Sequence, residues 1–374
     1  MQTQNDTMAW YTIKNIDAVD SPALVIYEER VRKNIQLAQE LLPDNARLRP
    51  HVKTSKIAEV NQFMLEAGIT KFKCATIAEG EMLAQIKAPD ILLAYQPVGP
   101  KLQRLLQLIK AYPASRFSCL VDNTASAIAF SHTALAHSIV LDVYIDLNVG
   151  MNRTGILPGE AAFVLYKEVL ALPGLRLLGL HAYDGHIKEV DPIVRQQQSD
   201  AAYAPAASLA QKVEQELKVK PIMIAGGSPT FPTHLHRGGV ECSPGTFIFW
   251  DHGYKLQMPE LPFDYAALVI SRVISIIDDT TICTDLGHKS VAAENPHPRV
   301  YFLNAPDAVA VGQSEEHMVL KVADAHAYKV GDVLYGAPMH VCPTVALYDR
   351  GIVINDHQAA GEWRVVARDR KITV

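Results

Sequence analysis

The sequence predicts an α/β protein made of a parallel (β/α)8 barrel and a second, antiparallel β-domain. Three observations carry this expectation. The chain has 374 residues, more than a single hydrophobic core usually organises, so two domains are expected. From about residue 45 to residue 250 short β-rich runs alternate with longer stretches of helical periodicity, the pattern of repeated βα units around a parallel sheet. Beyond about residue 255 helical periodicity disappears and closely spaced strands separated by Gly, Asp and Pro turns take over.

An opening strand at 23–27 is followed by runs at 49–53, 72–76, 91–95, 117–121, 141–147, 177–183, 222–225 and 241–246. After the opening strand that makes eight, the number that closes a barrel. Between the runs, 58–67, 78–86, 101–111, 160–171 and 205–217 place apolar residues at three and four spacings, as outer helices do. The second domain reads as strands at 267–277, 281–285, 300–303, 318–322, 333–336, 346–349, 351–355 and 362–366.

A net charge of −5 with dispersed Lys and Arg gives no basic footprint for nucleic acid. No uninterrupted apolar stretch is long enough for a membrane helix, and the polar start lacks the order of a signal peptide. A soluble, cytoplasmic protein is expected. Five irregularly spaced cysteines fit reduced thiols rather than a disulfide framework. Cys74, Cys119, Cys242 and Cys283 lie in apolar runs and read as small core residues.

A barrel enzyme assembles its site from the C-terminal ends of different strands, and chemically useful groups end successive runs here. Lys53 closes the first. Burial there would lower its pKa and make the amine able to form a Schiff base with an aldehyde cofactor. The fifth run leads into Asn148-Val149-Gly150-Met151-Asn152-Arg153-Thr154-Gly155, and the sixth ends in His181-Ala182-Tyr183-Asp184-Gly185-His186. Alternation puts His181 and Tyr183 on one side of that strand, either the barrel interior or the helix layer. The seventh ends in Gly226-Gly227-Ser228-Pro229-Thr230, a turn whose glycines and hydroxyls can converge donors on a phosphate. In His340-Val341-Cys342, alternation in an extended segment would bring an imidazole and a thiol to the same side, close enough to share a metal.

The run Arg49-Pro50-His51-Val52-Lys53-Thr54, with Gly150-Met151-Asn152-Arg153-Thr154-Gly155, the His181 to His186 pattern and Pro338-Met339-His340-Val341-Cys342-Pro343-Thr344, resembles the D-threonine aldolase and D-serine dehydratase family. These are pyridoxal phosphate (PLP) enzymes related to the N-terminal barrel of alanine racemase. The resemblance covers nearly the whole chain. It implies a PLP-binding barrel over 20–254 and a metal-binding β-domain formed by 1–19 with 255–374, and it places the opening strand, left over from the barrel count, with the second domain. Lys53 would carry the cofactor, and Arg153, His181, Tyr183, Gly226, Gly227, Ser228 and Thr230 would bind it. His186 would shuttle a proton at the substrate hydroxyl, and His340 with Cys342 would hold a divalent metal, Zn2+ first and Mn2+ or Mg2+ as alternatives. Ser55 and Phe247 stand where the family usually has histidine and tyrosine. His234 and His236 read equally well as turn or supporting residues.

The implied activity is a lyase acting on a small-molecule β-hydroxy D-amino acid, of the D-serine or 3-hydroxyaspartate dehydratase type, since cysteine rather than aspartate stands in the metal motif. The alternatives are D-threonine aldolase-type cleavage, an amino-acid racemase, and a non-catalytic PLP-binding protein. A homodimer is the expected assembly. No nucleic-acid or membrane partner is implied.

Overall fold

A computed structural model describes residues 8–374; the remaining part of the expected 1–19 segment lies outside the described residues. The chain forms two compact units. One holds the described residues up to Asn34 with Ile248–Lys255 and Phe263–Val365, and the other holds Ile35–Phe247, Leu256–Pro262 and Val366–Val374.

The opening strand β1 (Ala23–Tyr27) and helix α1 (Glu28–Leu41) come first. Seven parallel strands then follow in sequence order: β2 (Lys71–Cys74), β3 (Asp90–Leu93), β4 (Arg116–Val121), β5 (Leu141–Leu147), β6 (Leu175–Ala182), β7 (Ile222–Ala225) and β8 (Val240–Cys242). The first barrel run, expected as a full strand over 49–53, is reduced to two bridges. Leu48 pairs with Cys242 of β8 and His51 with Lys73 of β2. Because this segment bonds to both edge strands, Arg49 N to Cys242 O at 2.9 Å and Lys73 N to Pro50 O at 2.8 Å, it closes the ring as an irregular eighth stave. Pro50 has no N–H for a regular ladder, and Lys53 falls in the turn that follows. The eighth expected run ends at Cys242, since Pro244 and Gly245 stop the ladder and Thr246–Ile248 is a single 3-10 turn.

The helices of the barrel unit are α2 (Ala58–Glu66), α3 (Ile77–Gln85), α4 (Pro100–Ala111), α5 (Thr124–Ala136), α6 (Glu160–Leu170), α7 (Pro192–Leu217) and the short α8 (Phe231–His234), while α9 (His252–Gln257), after the last barrel strand, begins in the other unit. The alanine-rich α5 was not expected from periodicity. Helix α7 begins well before the expected residue 205, and Pro205 lies inside it. Inside the barrel Leu92, Leu120, Tyr144 and Ile224 pack together, one inward residue from each of four strands.

The other unit contains a nine-stranded sheet. Its path runs β12 (Val309–Gln313), β13 (Met318–Lys321), β10 (Thr281–Thr284), β9 (Ala267–Asp278), β1, β15 (Arg350–Asn355) and β16 (Gln358–Arg364), with β14 (Val333–Pro338) pairing β9 and β11 (Val300–Phe302). All pairs are antiparallel except β1 with β15. The opening strand therefore belongs to this sheet and not to the barrel. The strand expected at 346–349 is replaced by the end of helix α10 (Val341–Leu347).

Candidate active site

Strand register decides which side chains meet at the barrel's C-terminal end. Asp146 of β5 pairs with His181 of β6, and His181 with Ile224 of β7, so Asp146 and His181 both point to the interior with the core residue Ile224. Lys73 of β2 pairs with Leu92, also an interior residue. The result is a chain of contacts that runs from the exposed Thr154 to the buried Asp146, His181 and Lys73. Thr154 Oγ1 donates to Asp146 Oδ2 at 2.8 Å, Asp146 Oδ1 lies 2.7 Å from His181 Nδ1, and His181 Nε2 lies 3.4 Å from Lys73 Nζ. Burial works against the Asp146 carboxylate, yet the bond and charge of His181, with Thr154 and Lys73, hold it below the usual range. Burial lowers His181. Burial, then the charge of Lys53, pushes Lys73 down to about 7.

Lys53 itself is partly exposed, in the turn after the closing stave, and its N–H donates to His51 Nδ1 at 3.3 Å. Lys56, three residues on, is tied to Glu79. Tyr183 follows β6, with the Lys73 ammonium 5.5 Å and the Arg153 guanidinium 5.1 Å from its ring centroid, within cation–π range. Arg153 is exposed in the loop after β5. His186 is exposed and lies against that loop: a Cβ on Gly150 would come 2.7 Å from its Nε2. Lys53, Arg153, His181, Tyr183 and His186 therefore converge on one end of the barrel.

The turn after β7 builds a cradle. Gly226 has φ +79°, and a Cβ there would lie 2.5 Å from His234. A Cβ on Gly227 would lie 3.0 Å from Tyr183, and one on Gly245 2.9 Å from His51 O. Ser228 Oγ accepts from Gly245 N at 3.2 Å and Thr246 N at 3.1 Å, so two donors of the turn after β8 converge on one oxygen of the turn after β7. Below the turn, Thr230 Oγ1 donates to Asp184 at 2.7 Å and accepts from Gly227 N at 3.3 Å, and Asp184 holds His234 Nε2 at 2.8 Å. Burial raises Asp184, but the bond and charge of His234, with Thr230, keep it below the ordinary carboxylate range. His234 is thus a support of the cradle. An amine, converging backbone donors, an aromatic ring and a guanidinium are what a phosphate-bearing aldehyde needs, and this donor set fits PLP.

In the other unit His340 and Cys342 are neighbours, but not by strand alternation. The expected extended segment is the start of α10, with His340 at its N-cap. Pro343 sits in the first turn, where a missing N–H costs nothing, and Asp251 Oδ2 accepts the Val341 N–H at 3.0 Å. The imidazole and thiol hydrogen-bond to each other, and His340 Nδ1 lies 2.5 Å from Glu294 Oε1. Burial disfavours the charged ring, but Cys342, Glu294 and Asp251 outweigh it and push His340 up to about 9. Among the described residues no group of three or more His, Cys, Asp or Glu side chains is arranged to hold a metal.

Sequence reasoning missed Lys73, Asp146 and Asp184 as site residues. The available signal was a charged residue with an apolar residue on either side near the end of a strand: Lys73 between Phe72 and Cys74, and Asp146 between Ile145 and Leu147.

A parallel barrel with a lysine and a glycine-rich turn at its C-terminal end defines a class, and comparison with known proteins gives the family. Residues 26–252 match the alanine racemase N-terminal domain, and the chain belongs to that family; residues 266–354 match a putative serine dehydratase domain. The chain is 28% identical over 360 residues to a D-threonine aldolase of an Arthrobacter species, covering 94% of this chain and 93% of that one. It is 26% identical over 354 residues to the D-threo-3-hydroxyaspartate dehydratase of a Delftia species, covering 88% and 93%. The crystal structure of D-threonine aldolase from Filomicrobium marinum superposes with a TM-score of 0.87 at 26% identity, covering 94% and 95%. A cysteine variant of the Delftia dehydratase in a metal-free form shares the fold, with a TM-score of 0.83 at 23% identity over 93% and 97%.

Proposed function

We propose that this chain is a PLP-dependent lyase acting on β-hydroxy D-amino acids. The observation that carries the reading is the meeting, at one end of the barrel, of Lys53 with the cradle in which Gly245 and Thr246 N–H groups converge on Ser228. Gly226, Gly227, Ser228 and Thr230 would hold the phosphate, Tyr183 and His181 would flank the ring, and Arg153 would hold its phenolic oxygen. When bound, PLP supplies an electron sink for cleavage at Cα. Lys53 would take and return the Cα proton, and His186 would hold the proton of the substrate's β-oxygen. We propose further that His340 and Cys342 supply N and S donors to a divalent cation, Zn2+ being the ion that suits them. Bound there, it would supply Lewis-acid chemistry to a hydroxyl.

The His340 and Cys342 pair favours loss of water, as in D-serine or 3-hydroxyaspartate dehydratases. The retro-aldol reading is favoured by the 28% identity to a D-threonine aldolase. Borohydride reduction of the PLP-loaded protein followed by peptide mapping tests the lysine: the cofactor is expected on Lys53, and its recovery on another lysine overturns the assignment. Incubation with D-serine and D-threonine separates the reactions, giving a 2-oxo acid or glycine plus aldehyde, and neither product would remove the lyase reading.

No helix among the described residues is long and apolar enough to cross a membrane, and none of the five cysteines is in a disulfide, which suits the reducing cytoplasm we propose. We also propose a homodimer. Exposed apolar side chains on β9 and β12, Ile274, Ile276, Ile277, Val309 and Val311, are surface that association would cover. Sedimentation velocity at assay concentration should give the mass of two chains, and an active monomer would exclude it.

A further inference from the structure

Lys73 has no part in the function proposed above, yet it is one of the most completely enclosed charged residues of the barrel, 2% exposed. Its amine is placed by strand register beside His181, whose other nitrogen is held by Asp146. A buried carboxylate 2.7 Å from an imidazole favours a second proton on the ring. A cation 3.4 Å from the opposite nitrogen opposes that protonation. With the Nδ1 hydrogen bound to Asp146, Nε2 has a lone pair to offer and the Lys73 ammonium has hydrogens to donate. The three groups then carry −1, 0 and +1.

We propose that Lys73, and not His181, carries the positive charge that balances Asp146, which makes Lys73 a positioning residue that keeps His181 neutral and in its Nδ1–H tautomer. Two further features agree with this. Burial and the Lys73 charge both lower His181, against the pull of Asp146. The groups facing Lys73 are mixed in sign, with Lys53 and Arg49 disfavouring its charge and Asp146 and Asp184 favouring it. His51, itself lowered by burial and by the charges of Lys53 and Lys73, adds no positive charge to the cluster. An imidazole locked this way presents a neutral, fixed ring to the pocket and has no Nε2 proton to give. The proton of the relay sits instead on an amine that ends next to Tyr183.

The location of this proton is a property of the cofactor-free chain; only its role toward PLP rests on the function proposed above. The test is 15N-histidine NMR of the cofactor-free protein between pH 5 and pH 9, with the His181 signal assigned by its loss in H181Q. In the native protein His181 should show one protonated nitrogen and one acceptor nitrogen through neutral pH. In K73M the ring should take up its second proton at a pH at least one unit higher, a tenfold or larger change in proton affinity, while K73R should keep it neutral. A native His181 doubly protonated at pH 7, or an unchanged titration in K73M, overturns the proposal. If K73M does not fold, K73R still decides, because a permanent cation that fails to keep His181 neutral excludes the role. Borohydride mapping of PLP to Lys53 in the same variants reports separately on the function proposed above.

Discussion

A thiol and an imidazole two positions apart meet in this protein because a helix starts between them. Sequence alternation anticipated that His340 and Cys342 would be neighbours but attributed it to an extended strand, whereas Pro343 in the first turn of α10 and the bond from Val341 N to Asp251 bring the chain into a helix. Both geometries bring the two side chains together, so their proximity was legible and the local structure was not. Glu294 takes the Nδ1 side of His340, which leaves Nε2 as the nitrogen a cation would take and orients the ring for it. Cys342→Ala should therefore lower the metal recovered per chain to background by elemental mass spectrometry. PLP should stay bound, and loss of the β-substituent should fall at least a hundredfold while solvent deuterium exchange at Cα continues. Full metal content in Cys342→Ala would remove both residues from the site.

At the scale of elements, the decisive piece is the irregular stave that closes the barrel. Arg49 sits on it with 1% side-chain exposure and reaches Glu241 of β8 at 2.7 Å and Asp90 of β3 at 2.6 Å, while Lys71 of β2 reaches the same Glu241. A segment with two bridges and a proline lacks the ladder bonds of a strand, and this buried network does part of their work. Arg49→Met leaves two carboxylates without their guanidinium, and losing one partner of a buried ionic network costs ~3–5 kcal/mol. With Lys71 retained the loss should sit near the lower end, read as a reduced midpoint in urea unfolding. A midpoint unchanged within error would show that the stave closes without it. The same segment shows where sequence reading stops. Its apolar flanks and the spacing of later runs made an eight-fold barrel legible, but a periodicity count treats Arg49 to Lys53 as a strand like the others and so places Lys53 in the core. The proline and the turn put Lys53 at the edge, partly exposed. The enclosed amine is Lys73, whose neighbours in space, His181 and Asp146, lie far along the chain and become visible only through register.

For the molecule as a whole, a buried amine costs stability in a way that depends on pH. In the folded chain burial and Lys53 push Lys73 down to about 7 from its ordinary 10.5. Below pH 7 the amine is protonated in both folded and unfolded chains, and folding bears the full cost of enclosing the charge. Between about pH 7 and 10.5 the unfolded chain binds more protons than the folded one, so this residue's contribution improves as pH rises. Above that window both states are neutral and the cost is gone. Lys73→Met removes the titration but also leaves His181 Nε2 without its donor, a loss of ~1–3 kcal/mol that pH does not change in the same way. The expected result is therefore a difference curve. The stability of Lys73→Met relative to the native protein, from denaturant unfolding at pH 6, 7, 8 and 9, should be most favourable to the variant at pH 6 and should shift toward the native protein by a few kcal/mol across the series. A difference that stays constant with pH would mean that Lys73 keeps its ordinary proton affinity in the folded chain and that the barrel encloses a permanent cation.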